Sequence, residues 1–110
     1  FQISCGSDDQ ALDYFLWGST SWIAGGASST PRQHVAVLEA ALGGDLINAR
    51  RHMEKLMPLL RNMESGHYTQ KVKAGCELQG IPVGPARRPL LPLKDDYLAA
   101  FTEVFKAATA

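Results

Sequence analysis

The chain opens FQISCGSDDQALDYFLWGSTSWIAGGASSTP, Phe1 to Pro31, and this stretch decides the fold class. Phe1, Ile3 and Cys5 alternate with Gln2 and Ser4, the two-residue period of a strand. Gly6 gives a turn, and Asp8 to Trp17 carries a helical apolar face of Ala11, Leu12, Phe15 and Leu16. Gly18 stands where a left-handed helix cap is wanted. Ser21 to Gly25, centred on Trp22, Ile23 and Ala24, predicts a second strand. Strand, helix and strand in this span form a βαβ unit with parallel strands. Two parallel strands cannot cover both faces of a sheet, so the opening reads as the edge of a larger one.

Beyond this edge the chain is helical. Thr30, Pro31 and Gln33 predict a capping box with proline at the first helical position; Ser7 and Gln10 give the same pattern earlier. Val35, Leu38 and Leu42 supply an apolar stripe that Gly43-Gly44 ends. Asp45 is placed to cap a third helix, in which Leu46, Ala49, Met53, Leu56, Leu60 and Met63 recur at three- and four-residue spacing. Pro58 falls inside that pattern and is expected to kink or divide the helix. A fourth helix is expected from about His67 to Gln79, stopped by Gly80, with Tyr68, Val72, Gly75 and Cys76 inward. Four prolines make Ile81 to Leu93 an extended connector. Asp95 or Asp96 starts a last helix with Leu98, Phe101, Val104, Phe105 and Ala108 on one face. The expected division is residues 1–43, the sheet-edge part, and 44–110, a helical subdomain.

Composition narrows the function classes. The 110 residues carry 45% apolar and 20% charged side chains at zero formal net charge, the profile of an ordinary globular domain. No basic field is present to draw nucleic acid or an anionic membrane surface, so neither partner is expected. No apolar run approaches the roughly 20 residues of a membrane span. Phe1 begins inside an expected strand, without an initiator Met, and the chain is expected to continue a longer gene product. Cys5 and Cys76 show no metal-binding spacing; a disulfide is one reading, two buried thiols in a reducing cytoplasm the other.

Among candidate sites, the loop from Gly25 to Thr30 joins a strand's carboxyl end to a helix N-terminus. Ligands bind there in α/β folds, and free amides there favour anions. A tight, well-capped connection explains the loop equally, and it is neither a Walker loop nor GxGxxG. Gly6 holds the corresponding end of the first strand. Asp8 and Asp9 fit helix-dipole stabilisation better than paired catalytic carboxylates. His34, His52 and His67 are too scattered for a metal site. Arg87-Arg88 fits a structural tie better than an anion site.

Several motifs together resemble one family. Ser4-Cys5-Gly6-Ser7-Asp8-Asp9 with Ala11-Leu12-Asp13 resembles the seventh-strand region of the dihydrodipicolinate synthase / N-acetylneuraminate lyase family, and Gly18 to Ser29 resembles its eighth strand. Leu56-Met57-Pro58-Leu59 is similar to its long helix with an interior proline. Val72 to Gly80 and Arg88 to Leu93 are similar to its C-terminal signature.

The resemblance implies a chain that is α/β by origin and mostly helical by content. It would hold the last two βα units of a (β/α)8 TIM barrel and a C-terminal three-helix extension. It implies class I lyase chemistry, a Schiff base between a lysine and pyruvate or a related 2-oxo acid, without a cofactor or metal. The family's lysine sits on the sixth strand, and none of Lys55, Lys71, Lys73, Lys94 and Lys106 lies in that motif; the chain alone is expected to be inactive. Gly6 and Ile23 match strand-end residues lining the 2-oxo-acid pocket, and Gly25 and Gly26 match the neighbouring segment that shapes it for the second substrate. The Gly-Gly-Ala-Ser-Ser pattern departs from that of true dihydrodipicolinate synthases, which leaves other 2-oxo-acid lyases open. A homo-oligomer is implied, with Trp17 near a contributing helix. Two alternatives stand beside this: a non-catalytic helical assembly module completed by another chain, and a phosphate site at Gly25 to Thr30 in a different α/β protein.

Overall fold

The computed structural model describes residues 1–110. Two strands and five α-helices follow in the order β1 (Ser4–Cys5), α1 (Ala11–Leu16), β2 (Ser21–Trp22), α2 (Pro31–Leu42), α3 (Leu46–Glu64), α4 (Tyr68–Leu78) and α5 (Asp95–Thr109). Short 3-10 turns at Asp8–Gln10 and Gly26–Ser28 follow the two strands. The fold is mostly helical, with one small parallel sheet that does not close into a barrel.

β1 and β2 pair in parallel, Ser4 opposite Ser21 and Cys5 opposite Trp22, so the βαβ opening forms. Both strands are shorter than the sequence predicts. Each has a single neighbour, so regular pairing survives only where the two overlap. Ile23, expected at the centre of the second strand, sits just beyond it, although its N–H still donates to the Cys5 carbonyl at 2.8 Å. Ser19 Oγ donates to the carbonyls of Ile3 (2.7 Å) and Ser21 (3.1 Å), which ties the two strand starts together.

α3 is the spine. Met53, Leu56, Leu59, Leu60 and Met63 all lie in one buried cluster that also takes in Cys5, Ala11, Phe15, Val37, Phe101, Phe105 and Ala108. The core therefore runs from the sheet to the last helix without interruption. Pro58 neither divides α3 nor ends it. It lies on the exposed side, so its ring displaces no core side chain, and it removes only the one amide that the Glu54 carbonyl would accept from. α2 is rotated from the expected stripe: Val35 and Leu42 are exposed, and His34 and Val37 are buried instead. α5 buries Phe101, Phe105 and Ala108 as its spacing predicts, while Leu98, expected on the same face, is exposed in the helix's first turn.

The caps divide in the same way. Asp45 Oδ1 accepts from Asn48 N–H at 3.1 Å, the cap expected for α3. Neither capping box forms: each hydroxyl donates elsewhere and accepts from no helix amide. Ser7 Oγ donates to Asp9 Oδ1 (3.1 Å) and Thr30 Oγ1 to the Gly26 carbonyl (3.0 Å). Gly80, at φ +79°, provides the stop after α4. The connector carries a cis Arg88–Pro89 bond. Glu77 Oε1 holds it by accepting from Val83 N–H (3.0 Å) and Gly84 N–H (3.2 Å). Arg87 and Arg88 tie nothing; the one ion pair is Arg50–Glu54 on the surface of α3. Both cysteines are buried and free. No helix is long and apolar enough to cross a membrane.

Candidate functional site

The carboxyl ends of β1 and β2 bring together the sequence-predicted residues. Gly6 follows β1, Ile23 follows β2, and Gly25-Gly26 leads into the 3-10 turn before α2. Gly6 faces open space: a Cβ there would meet nothing within 4 Å, and its φ lies outside the left-handed region. A turn requirement therefore does not explain this glycine. The Ile23 side chain is 74% exposed, so within the molecule its role is carried by the backbone N–H.

Gly25 and Gly26 are glycines for want of room. A Cβ on Gly25 would overlap Tyr68 Oη and stand 3.0 and 3.1 Å from the ring carbons behind it. A Cβ on Gly26 would lie 3.1 Å from both Asp8 Oδ2 and His34 Nε2. Gly26 is buried, and its carbonyl accepts from the Ser29 and Thr30 amides, both at 3.1 Å, and from Thr30 Oγ1.

Beneath this loop lies a buried polar cluster that sequence reasoning missed. Asp8, read as a carboxylate serving a helix dipole, is only 5% exposed. Its Oδ2 accepts from Gly26 N–H (2.9 Å) and from Tyr68 Oη–H (3.0 Å), and its Oδ1 from Trp22 Nε1–H (3.3 Å). Burial, followed by the charge of Asp8 and the hydrogen bond to it, pushes the Tyr68 phenol far above its ordinary range, so it stays a donor. His34 is 3% exposed, and its ring centroid stands 4.7 Å from that of Trp22. Its Nδ1 lies 2.8 Å from the Thr30 carbonyl. A carbonyl only accepts, so Nδ1 carries the proton and Nε2 presents a bare, buried lone pair without a partner. Burial lowers the His34 pKa, against the opposing pulls of the Thr30 bond and the Asp8 charge. The sequence signal for Asp8 was weak, because one of its donors lies sixty residues away.

α4 also closes the far side of the loop. Gln79 donates to the Ser29 carbonyl, and Cys76 Sγ lies 3.5 Å from that of Ser28. Burial also lowers the pKa of Lys71, another residue not singled out in the sequence; its ammonium donates to the Asn62 carbonyl and to Ser65 Oγ (3.2 Å) at the end of α3. Lys55 bonds the Ala110 carbonyl and Lys73 that of Val83, so no lysine donates to the cluster around Asp8. No group of three or more His, Cys, Asp or Glu side chains could share a metal ion. A separate groove of about 460 Å³ between α4, the connector and α5, with Lys73, Arg88 and Leu98 among its walls, contains no strand-end residue.

Known proteins share both sequence and fold with this chain. The chain is 36% identical over 93 residues to a 4-hydroxy-tetrahydrodipicolinate synthase of an Exiguobacterium species, covering 84% of this chain and 32% of that protein. It is 31% identical over 104 residues to the Methanothrix thermoacetophila protein of the same name, covering 94% and 35%. The chain thus spans about a third of the length of the curated relatives it matches. The crystal structure of dihydrodipicolinate synthase from Thermotoga maritima superposes with a TM-score of 0.91 at 25% identity, over 99% of this chain and 37% of that one. The Aquifex aeolicus enzyme gives 0.89 at 25% identity, over 99% and 37%. A sequence model described as the Dihydrodipicolinate synthetase family matches residues 1–108, and the chain belongs to that family.

Proposed function

We propose that these residues are the C-terminal part of a Schiff-base-forming lyase acting on pyruvate or a related 2-oxo acid. In this reading residues 1–43 supply the last two βα units of a (β/α)8 barrel and residues 44–110 its helical extension. The reactive lysine belongs to an earlier strand. Its amine nitrogen bonds the 2-oxo carbon, the carbonyl oxygen leaves as water, and the imine then draws electrons from the adjacent carbon–carbon or carbon–hydrogen bond. The backbone at Gly6 and Ile23 lines the 2-oxo acid, and Gly25-Gly26 shapes the space for the second substrate. One observation carries the reading. Two parallel strands end side by side with all four residues at one edge, in a chain that belongs to a family of such enzymes.

The test is reductive trapping. The full-length protein is incubated with pyruvate and borohydride, and the modified lysine is located by peptide mapping. The expected adduct lies N-terminal to Phe1, and the isolated 110 residues take none. An adduct on Lys55, Lys71, Lys73, Lys94 or Lys106 overturns the reading. A second reading, assembly through the sheet edge and α1, draws on exposed Phe1, Ile3, Leu16 and on Trp17, which is 92% exposed. In the catalytic reading the same α1 surface serves a homo-oligomer. Sedimentation across a dilution series tests it, and a monomer at every concentration removes it.

A further inference from the structure

Gly26 sits between two buried acceptors, Asp8 Oδ2 and His34 Nε2, and has one amide hydrogen to give. It gives it to Asp8. A buried carboxylate is expensive to desolvate, and an apolar pair of similar size would hold this contact at least as firmly. What a carboxylate adds is direction, since each oxygen fixes the donors around it. The donors on Asp8 come from three places: β2 through Trp22, the substrate loop through Gly26, and α4 through Tyr68. Tyr68 is the only one of them from the helical segment beyond residue 44, and its ring also occupies the space a side chain on Gly25 would need. The loop is thus clamped on one side by a hydrogen bond passed through Asp8 and on the other by contact with the ring.

We propose that Tyr68, acting through Asp8, is a positioning residue that sets the Gly25-Gly26 backbone, so that the helical segment controls the shape of the strand-end pocket. The functional half of this inference rests on the proposed 2-oxo-acid reading; the positional half does not. Tyr68→Phe removes the hydroxyl and keeps the ring. Two readouts are taken: hydrogen exchange at the Gly26 amide, and the pyruvate dependence of borohydride trapping in the full-length protein. The expected results are about tenfold faster Gly26 exchange, the scale of one charge-assisted hydrogen bond, and about tenfold more pyruvate at half-saturation, with the limiting trapping rate held within about twofold. A merely structural role would lower the limiting rate with the folded fraction and leave half-saturation unmoved; that result overturns the proposal, as does unchanged Gly26 exchange. Should Tyr68→Phe lose its helical circular dichroism, Asp8→Asn, of the same size, weakens the same bond from the acceptor side and is read in the same way. If the wild-type protein traps no pyruvate, the lyase reading fails and Gly26 exchange alone decides the positioning claim.

Discussion

Replacing Gly75 by alanine tests whether α4 is as tightly seated on the strand-end loop as the contacts indicate. In an exposed helix interior this change stabilises by about 1 kcal/mol, because alanine loses less backbone freedom on folding. Gly75 is buried, however, and a Cβ there would stand 2.7 Å from Ser29 Cβ, 2.8 Å from Ser29 Oγ and 3.0 Å from Phe105 Cε2. Carbon atoms in contact prefer about 3.5–4.0 Å, so the overlap with Ser29 is nearly an ångström. Ser29 cannot swing aside: it is 2% exposed, and its own Cβ is the clashing atom. Relief requires α4 to move off both the loop and α5, and overpacking of this kind costs about 1–3 kcal/mol. With an overlap this close the clash outweighs the helix gain, for a net loss of up to about 2 kcal/mol, or up to about 10 °C in melting temperature for a domain of this size. Thermal and urea unfolding by circular dichroism give the number. Ser29→Gly in the Gly75→Ala background removes both clashing atoms on that side and is expected to restore part of the loss. A Gly75→Ala protein that melts at or above the wild-type temperature refutes the reasoning.

Two further outcomes follow from the core and the buried cluster. Leu60→Ala, at a position 1% exposed in the central cluster, is expected to cost about 2–5 kcal/mol in urea unfolding; a loss below 1 kcal/mol would mean that α3 is not the spine. His34 is held neutral in the folded chain, its pKa lowered from 6.5 chiefly by burial, whereas the unfolded chain takes up a proton near pH 6.5. Stability therefore falls as pH drops below about 6.5, by up to about 1.4 kcal/mol per unit, until the lower folded pKa is reached. His34→Met, which removes the titrating group and keeps the bulk, is expected to flatten that slope, and an unchanged slope contradicts the burial.

What could be read from the sequence depended on the distance over which each signal acts. Asp45 capping α3 is settled within a single turn. The spacing of Met53, Leu56, Leu60 and Met63 needed only one apolar partner surface, whichever it was. Gly80 stopped α4 through its own backbone. Thr30 marked the start of α2 correctly, yet its hydroxyl donates to the carbonyl of Gly26, in the loop folded against it, and accepts from no helix amide. Ile23 was placed at the pocket edge by family likeness, while its place past the end of β2 depends on the absence of further pairing there. Asp8 is the extreme case. Its neighbours in sequence suggest a surface carboxylate, and only Trp22, Gly26 and Tyr68 folding around it make it buried.

The Asp8–Tyr68 bond also sets an order of events. The residues at the strand ends are within about twenty positions of one another, whereas the hydroxyl that fixes Asp8 arrives sixty residues later. Closing so long a loop costs entropy before any contact compensates for it. At about 5–20 residues per second, a ribosome needs several seconds to make the intervening chain. During that interval Asp8 has no phenol to bind, and Gly25 faces no ring. The Gly25-Gly26 loop is thus synthesised well before α4 and reaches its final form only after it. Its geometry reports that α4 has docked.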